Sequence, residues 1–281
     1  MLRTDLDCVP AHASESRGFA AAVQPVVAST IVTTSSEGLV AGEIRIRAGE
    51  IEMPAYRAMP AGGKNLPILI VGSEIFGVHE HIADVTRRFA KRGYLAIAPE
   101  FFVRQGDAKA AMNIETLLAT IVSKVPDSQV MSDIDAAVDW AGRNGGDRGR
   151  LGITGFCWGG RITWLYAAHN PAVKAGVAWY GRLVGAKSAL QPMQAVDAAA
   201  SLQAPVLGLY GGADTGIPLD TVETMKKALA SGSAAARRSE FVVYPEAKHA
   251  FSADYRPNYD QAAAEDGWRR CLDWLRQNGV A

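Results

Sequence analysis

A glycine-framed cysteine is the feature of this sequence that most directly indicates chemistry. The run Gly155-Phe156-Cys157-Trp158-Gly159 matches a nucleophile elbow in which Cys takes the place of Ser. In such a turn the nucleophile has strained backbone between a strand and a helix, and small residues two positions away let the two elements approach each other. The helix N-terminus also favours a thiolate. An isolated Cys is more often a small buried apolar residue, but this spacing predicts that Cys157 is a nucleophile.

Two later residues, Asp214 and His249, could complete a catalytic triad with Cys157. His249 follows an apolar run at 241–244 and could act as the base and proton shuttle, while Asp214 follows another run at 206–210 and could orient the imidazole. The order nucleophile, acid, histidine is the one that α/β-hydrolases use. Taken singly, Asp214 could be a turn residue or a helix cap and His249 a surface histidine.

Backbone amides next to these elements are candidates for an oxyanion hole. The amide of Trp158, directly after the nucleophile, should be one donor, and that of Ile75, after an earlier strand, the other. A well-aimed donor of this kind contributes about 3 kcal/mol to stabilisation of the transition state.

Apolar runs that alternate with amphipathic segments must position these residues. Strands are predicted at 66–72, 94–99, 151–155, 175–180, 206–210 and 241–244, and helices at 80–91, 133–142, 162–169, 219–229 and 261–277, after an antiparallel hairpin at 42–58. Repeated βα units with fully apolar strands predict an α/β fold, with a mainly parallel, doubly wound sheet and helices on both faces. Because functional groups gather at the carboxyl ends of parallel strands, Glu74, Cys157, Asp214 and His249 should converge on one crevice.

Composition and charge exclude several classes of function. The chain has 281 residues, of which 48% are hydrophobic, and its 29 basic and 29 acidic residues give a net charge of zero. No global field would attract nucleic acid or an anionic membrane, and no apolar run is long enough to span a bilayer, so we expect a small-molecule substrate. His79-Glu80-His81 does not predict a metal site, because neighbours one and two apart do not share a helix face and no further ligand cluster is evident.

The N-terminal region is less informative than the rest. Residues 1–41 are predicted to be a leader that is either disordered or a degenerate export signal, because a single Arg17 precedes an apolar run that Gln24-Pro25 interrupts. Residues 42–281 should form one catalytic domain. We expect a cytoplasmic enzyme, with the periplasm as the alternative, that is a monomer or a small homo-oligomer.

Several short segments together point to one enzyme family. They are Gly72-Ser73-Glu74-Ile75-Phe76-Gly77, Ala98-Pro99-Glu100, Gly155-Phe156-Cys157-Trp158-Gly159-Gly160, Tyr180-Gly181, Gly212-Ala213-Asp214 and His249-Ala250-Phe251. From about residue 42 to the C-terminus, the chain resembles the dienelactone hydrolase (carboxymethylenebutenolidase) family, which has the α/β-hydrolase fold.

The resemblance implies further roles in the site. Glu74 would be a fourth catalytic member that contacts the Cys157 thiol, although a carboxylate there could also cap a helix or form a salt bridge. Arg104 matches the arginine that holds the substrate carboxylate in this family. The second such arginine falls at about Ala253, with Arg256 just beyond, and Tyr180 is a further candidate for substrate binding.

The sequence therefore predicts a hydrolase that opens a lactone or an ester through an acyl-thioester on Cys157, without a metal or organic cofactor. A carboxylesterase of broader specificity is the alternative enzyme. The alternative from another class is a thiol-based redox or binding protein, which would need a resolving cysteine near Cys157. The two other cysteines, Cys8 and Cys271, lie in the leader and in a terminal helix, which disfavours that interpretation.

Overall fold

Eight strands form a single sheet in the order β1-β2-β4-β3-β5-β6-β7-β8. The structure, a computed structural model, describes residues 21–281. The strands are β1 (Leu39–Ala48), β2 (Ile51–Pro60), β3 (Leu66–Gly72), β4 (Leu95–Pro99), β5 (Gly146–Phe156), β6 (Val173–Trp179), β7 (Val206–Gly211) and β8 (Glu240–Tyr244). Strands β3 to β8 pair in parallel, whereas β1 and β2 form an antiparallel hairpin that joins the sheet at β4.

Seven α-helices connect or follow these strands within the described residues. They are α1 (Glu80–Ala90), α2 (Ile114–Thr120), α3 (Asp127–Arg143), α4 (Trp158–His169), α5 (Ala195–Ala198), α6 (Leu219–Ala230) and α7 (Gln261–Gln277). From β3 the chain first crosses to β4, on the side of the β1–β2 hairpin. It then crosses back over β3 to β5 and continues strand by strand to β8 at the opposite edge. Because such crossovers are right-handed, this reversal places α1 and the helices of the later crossovers on opposite faces of the sheet. The predicted fold class, an α/β-hydrolase fold with a mainly parallel sheet, is confirmed.

The central strands are apolar because they are covered on both faces. Every residue of β3 after Leu66 is buried, as are all of β4 and all of β7. Burial of this kind contributes roughly 25 cal/mol for each Å² of apolar surface, so the middle of the sheet provides the stable platform of the molecule. The reversal of winding occurs at β3, between β4 and β5, and opens a crevice at the carboxyl ends of β3 and β5.

Several elements differ from the sequence prediction, and α5, a single turn at Ala195–Ala198, was not predicted. Strand β5 begins at Gly146 rather than 151, because pairing with Leu66 and Pro67 draws its polar first residues into the ladder. Helix α3 begins at Asp127 rather than 133. Helix α2 was not predicted, and its start is capped by Asn113, whose side chain accepts a hydrogen bond of 2.8 Å from the amide of Thr116.

Residues 27–34, which we call the N-terminal strap, bind to the catalytic domain although the sequence analysis placed them in the leader. The amide of Val27 donates to the carbonyl of Tyr255 at 2.9 Å, and Thr30 Oγ1 donates to the carbonyl of Asp254 at 2.5 Å. The carbonyl of Thr34 accepts a hydrogen bond of 2.9 Å from Arg87 Nε on α1. The basic start of the apolar leader run, at Arg17, lies outside the described residues. In residues 21–281, no helix has the length and hydropathy needed to cross a bilayer.

Candidate active site

The backbone around Cys157 has the strain that the spacing predicted. Cys157 links β5 to α4 with φ 53° and ψ −111°, a conformation that non-glycine residues rarely adopt. A Cβ added to Gly155 would lie 2.1 Å from the carbonyl oxygen of Gly159, and one added to Gly159 would lie 2.3 Å from that of Gly72. Only glycine at these positions lets the helix approach the strands closely enough to form the turn.

Asp214 and His249 lie together beside this turn. His249 Nδ1 is 2.7 Å from Asp214 Oδ2, and the side chain of Asp214 is almost fully buried. The other oxygen of Asp214 accepts hydrogen bonds from the amides of Gly216, at 2.8 Å, and Ile217, at 3.2 Å. The carboxylate is thus fixed, and its bond to Nδ1 leaves the Nε2 side of the ring for the nucleophile.

The environment of His249 favours its charged form. Burial by itself would lower its pKa, but the hydrogen bond to Asp214 and the interaction with the Cys157 thiol outweigh burial and raise the pKa of His249 to about 10. The ring also packs edge-on against Tyr180, at 5.2 Å between centroids. An imidazolium held between a carboxylate and a sulfur can stabilise a thiolate and later supply a proton to a leaving group.

The two amides expected to form an oxyanion hole are open to a ligand. Ile75 and Trp158 both line the cavity that contains Cys157. Among residues 21–281, neither backbone N–H donates to a backbone or side-chain acceptor. Free amides at the start of a helix and after an adjacent strand are suited to a developing negative charge on oxygen.

Glu74 is buried behind the cavity rather than exposed within it. Its side chain accepts a hydrogen bond of 2.7 Å from the hydroxyl of Tyr255, and His79 Nε2 lies 3.8 Å from the same oxygen. Burial would raise the pKa of Glu74, but the hydrogen bonds and charges of His79, His81 and Tyr255 outweigh it and lower the pKa to about 2. Glu74 is therefore an ionised carboxylate whose hydrogen bond goes to Tyr255, and its predicted contact with the thiol stays a proposal.

One cavity of about 790 Å³ contains Cys157, Asp214 and His249, and its size is typical of small-molecule sites. Tyr180 forms part of its wall, in agreement with its choice as a candidate substrate contact, and its hydroxyl is hydrogen-bonded to Ser252 at 2.8 Å. The described residues that line the cavity are Ile75, Leu118, Val122, Ser123, Cys157, Trp158, Arg161, Tyr180, Arg182, Ala186, Gln191, Gln194, Ala213, Asp214, Thr215, Gly216, Ile217, Lys248, His249 and Asn258.

Arg104 does not line this cavity, and its expected role in holding the substrate carboxylate stays a prediction. Its guanidinium forms two hydrogen bonds to Asp133, of 2.7 and 2.9 Å, and a third of 3.0 Å to the carbonyl of Ala48. Asp133 is buried, so the arginine neutralises a carboxylate that would otherwise be costly inside the protein. Arg104 therefore connects α3 to the β1–β2 hairpin.

Arg256 is also outside the cavity lining. Its guanidinium stacks against the rings of Phe76, at 5.6 Å, and Tyr255, at 5.9 Å, which are typical cation–π distances. A direct role in substrate binding stays a prediction for Arg256.

Sequence reasoning missed three cations that line the cavity, Arg161, Arg182 and Lys248. Arg182 comes two residues after Tyr180, and Lys248 immediately precedes His249, so both are next to residues that the motifs identified. Adjacency to the motif residues was the signal available in the sequence. In the described part of the chain, no group of three or more His, Cys, Asp or Glu side chains is arranged to hold a metal ion.

Comparisons with known proteins agree with this geometry. The sequence profile of the dienelactone hydrolase family matches residues 53–279. A protein of Methylorubrum extorquens named "Putative carboxymethylenebutenolidase" is 62% identical over 269 residues, which span 95% of this chain and 91% of that protein. A protein of Escherichia coli strain K12 with the same name is 57% identical over 267 residues, which span 95% of this chain and 97% of that protein.

A solved structure extends the similarity to three dimensions. The crystal structure titled as a "Putative Dienelactone Hydrolase" from Klebsiella pneumoniae superposes with a TM-score of 0.82 at 59% identity. It covers 85% of this chain, and this chain covers 99% of it. The shared fold therefore includes nearly all of that enzyme.

Proposed function

The chain belongs to the dienelactone hydrolase family and is a hydrolase of ester or lactone bonds, and from that premise we propose that it acts through a Cys157–His249–Asp214 triad and an acyl-thioester intermediate. The observation that carries the proposal is the bond of 2.7 Å between Asp214 and His249 next to a strained Cys157 in one cavity. No other function is favoured by a comparable arrangement in the described residues.

The first half of the reaction forms the thioester. The thiolate sulfur of Cys157 bonds to the carbonyl carbon, and the electron pair of the carbonyl moves to oxygen, where the amides of Ile75 and Trp158 stabilise it. Collapse breaks the bond between the carbonyl carbon and the ester oxygen. That oxygen takes the proton of the His249 imidazolium, which leaves the ring neutral. In a lactone, the released hydroxyl remains attached to the acyl chain.

The second half releases the acid. Neutral His249, aligned by Asp214, takes a proton from water while the water oxygen bonds to the thioester carbon. Breaking of the carbon–sulfur bond then restores the thiolate beside the imidazolium. In this scheme Glu74 is ionised and accepts a hydrogen bond from Tyr255. It provides a fixed negative charge behind Cys157 and does not accept the proton of the thiol.

Substitution of the nucleophile tests the proposal. Cys157→Ala should lower kcat/KM by about a thousandfold or more on p-nitrophenyl acetate and on cis- and trans-dienelactone, because no covalent route remains. Mass spectrometry of acid-quenched wild type should find the acyl group on the peptide that contains Cys157. Full activity of Cys157→Ala on these substrates would disprove the proposed triad.

Cys271→Ala is the matched control. Cys271 is a free cysteine, fully buried on α7, and is not part of the cavity lining. Circular dichroism gives the fraction of the variant that is folded. The kcat/KM of Cys271→Ala, corrected for that fraction, should be close to that of wild type. The burial of Cys271 also makes it an unsuitable resolving cysteine for a redox function. Cys8 lies outside the described residues.

The natural substrate and the breadth of specificity stay proposals. A carboxylesterase with broad specificity would use the same triad, and the cavity of about 790 Å³ has room for acyl chains larger than an acetyl group. The ratio of activity on dienelactones to activity on simple p-nitrophenyl esters distinguishes the two. A monomer or small homo-oligomer, in the cytoplasm or the periplasm, remains the expectation from the sequence.

A further inference from the structure

A carboxylate outside the catalytic cavity bonds to the loop that carries one of the proposed oxyanion donors. Glu100 directly follows β4, in the segment Ala98-Pro99-Glu100 that the sequence analysis singled out, and takes no part in the proposed triad. It does not line the catalytic cavity and lines instead a second cavity of about 750 Å³. Any effect of Glu100 on the reaction must therefore act through the residues that it contacts.

The loop between β3 and α1 contains a tight turn. The amide of Gly77 donates to the carbonyl of Glu74 at 3.4 Å, so Ile75 takes the first central position of the turn. The turn begins at a fixed point, because the amide of Gly159 on α4 donates to the carbonyl of Ser73 at 3.0 Å. The direction of the Ile75 amide depends on how this turn is held at both ends.

The carboxylate of Glu100 holds the far end of this turn. Its Oε2 accepts a hydrogen bond of 2.8 Å from the amide of Val78. Within residues 21–281, this is the one hydrogen bond that links the backbone of residues 75–78 to a part of the chain outside 74–79. Gly77, with φ 70°, lies directly against the carboxylate, since an added Cβ there would be 2.6 and 2.7 Å from its two oxygens.

Glu100 is itself anchored in the sheet. Its amide donates to the carbonyl of Pro54 on β2 at 2.9 Å, and Pro99 before it is the buried last residue of β4. Burial raises the pKa of the Glu100 carboxyl, and the hydrogen bond from the Val78 amide opposes that change. Because ionised and neutral carboxyl groups both have an acceptor oxygen, the bond to Val78 forms in either state. A fixed acceptor at the end of β4 thus holds the loop that follows β3.

We propose that Glu100 is a positioning residue for the oxyanion hole, which holds the turn at 74–77 so that the Ile75 amide is directed at the developing oxyanion. The inference rests on the hydrolase function proposed above and adds a residue that acts through the loop. Oxyanion donors stabilise a transition state when they are aimed in advance, and a misplacement of about 1 Å can cost roughly a hundredfold in rate. The amide of Trp158 is held separately, at the start of α4, so one donor remains when Glu100 is replaced.

Removal of the acceptor oxygen tests this role. Glu100→Leu is similar in size and has no acceptor, so kcat for p-nitrophenyl acetate should fall about ten- to hundredfold with little change in KM. Glu100→Gln keeps an acceptor oxygen for the Val78 amide and should retain a kcat within about threefold of wild type. Glu43→Leu is the matched control and should behave as wild type, because Glu43 is exposed on β1 and lines the same second cavity.

Two reagents that react with Cys157 separate a misdirected oxyanion hole from general damage to the site. With trifluoroacetone, the thiolate sulfur bonds to the carbonyl carbon and the electron pair moves to oxygen, so the hemithioketal has an alkoxide in the oxyanion hole. Its inhibition constant should rise in Glu100→Leu by a factor similar to the fall in kcat/KM. Iodoacetamide alkylates the sulfur with loss of iodide and forms no oxyanion. Its rate with Cys157, followed by mass spectrometry of the peptide, should stay at the wild-type value.

The outcomes separate this inference from the function on which it rests. If Glu100→Leu keeps the wild-type kcat and trifluoroacetone inhibition, or if its alkylation rate falls as much as kcat, the positioning role is wrong while the hydrolase mechanism stands. A kcat of Glu100→Gln as low as that of Glu100→Leu would also overturn it. If wild type does not hydrolyse the ester, or Cys157→Ala hydrolyses it at the wild-type rate, the proposed function itself fails.

A second variant keeps the test decisive if Glu100→Leu does not fold. Glu100→Asp retains the carboxylate and withdraws it from the Val78 amide by one methylene group. Glu100→Asp should show the same pattern to a smaller degree, with a lower kcat, weaker trifluoroacetone inhibition and an unchanged alkylation rate. Wild-type values for all three would count against the positioning role.

Discussion

At the scale of single residues, the titration of His249 links the candidate site to the stability of the fold. The pKa of His249 lies near 10, against an ordinary value of 6.5, because its bonds to Asp214 and Cys157 outweigh the effect of burial. A group whose pKa is raised on folding contributes stability that is complete below the unfolded-state pKa and is lost as pH rises through the folded-state value. The charged form of His249 should therefore stabilise the fold most below pH 6.5, and this contribution should be lost as pH rises towards about 10.

Asp214→Asn makes this testable. The variant removes the charge that holds the proton on His249, so the free energy of unfolding should fall most, relative to wild type, near pH 6, and the difference should shrink as pH approaches about 10. Urea unfolding across this range measures the difference directly. Asp220→Asn, at an exposed position in the first turn of α6, is the control and should show no such trend. A pH-independent difference between Asp214→Asn and wild type would contradict the assignment.

The residue scale also shows which side chains could be predicted. The grouping of Cys157, Asp214 and His249 in one cavity could be predicted, because elbow spacing is local and strand ends converge in any parallel sheet. The ion pair of Arg104 could not be predicted, because its partner Asp133 is 29 residues away and only the packing of α3 brings the two together. Arg182 and Lys248 could not be singled out among 29 basic residues, because the sequence does not show which cations line the cavity.

At the scale of elements, the contact between β5 and α4 places Cys157, the proposed nucleophile, in the crevice. The amide of Cys157 donates to the carbonyl of Trp179 on β6 at 3.0 Å, so the turn is also tied to the next strand. The helix can approach because Gly155 and Gly159 have no side chains. Strain at Cys157 is thus maintained by packing on two strands rather than by the turn itself.

Gly155→Ala should break this arrangement. The new methyl group would lie 2.1 Å from the carbonyl oxygen of Gly159, which is backbone and cannot move aside without shifting α4. We expect a loss of about 3 kcal/mol in the free energy of unfolding, together with a large fall in kcat, measured by urea unfolding and by p-nitrophenyl acetate hydrolysis. Gly149→Ala is the control, since its Cβ would meet only a movable Asp147 side chain at 3.1 Å. Normal stability and activity of Gly155→Ala would exclude this account of the elbow.

Elements were predicted well where burial determined their pattern and poorly elsewhere. The apolar runs of β3, β4 and β7 are readable because they are covered on both faces. The polar start of β5 is a strand only because β3 lies beside it, and α2 is a short helix in which Leu117 is the one buried residue, so neither carries a clear periodic signal.

At the scale of the whole molecule, the N-terminal strap binds the loop that follows His249. Thr30 Oγ1 reaches the carbonyl of Asp254, 224 residues later, and the side chain of Asp254 is held by His81, at 3.1 Å, and by Arg88. The next residue, Tyr255, donates to Glu74. The strap is therefore connected, through Asp254 and Tyr255, to the buried carboxylate of Glu74.

These contacts bear on the predicted division of the chain at residue 41. The structure describes residues 27–34 in direct contact with α1 and with the loop at 250–258, so a cleavage after them would remove hydrogen bonds from the catalytic domain. The division into a leader and a catalytic domain stays a prediction. Composition could not reveal the contacts, because each depends on a partner that is distant in sequence.

Replacement of the strap threonines tests whether the strap supports the site. Thr30→Val and Thr34→Val remove the side-chain hydrogen bonds to the Asp254 carbonyl and to Asp84, and each should lower the free energy of unfolding by about 1 kcal/mol. Because the loop at 250–258 follows His249, we also expect faster hydrogen exchange of its amides and a several-fold lower kcat in the double variant. Thr224→Val, whose hydroxyl bonds within its own exposed helix, should change neither. If the double variant unfolds more easily while loop exchange and kcat stay at wild-type values, the strap stabilises the fold without positioning the histidine loop.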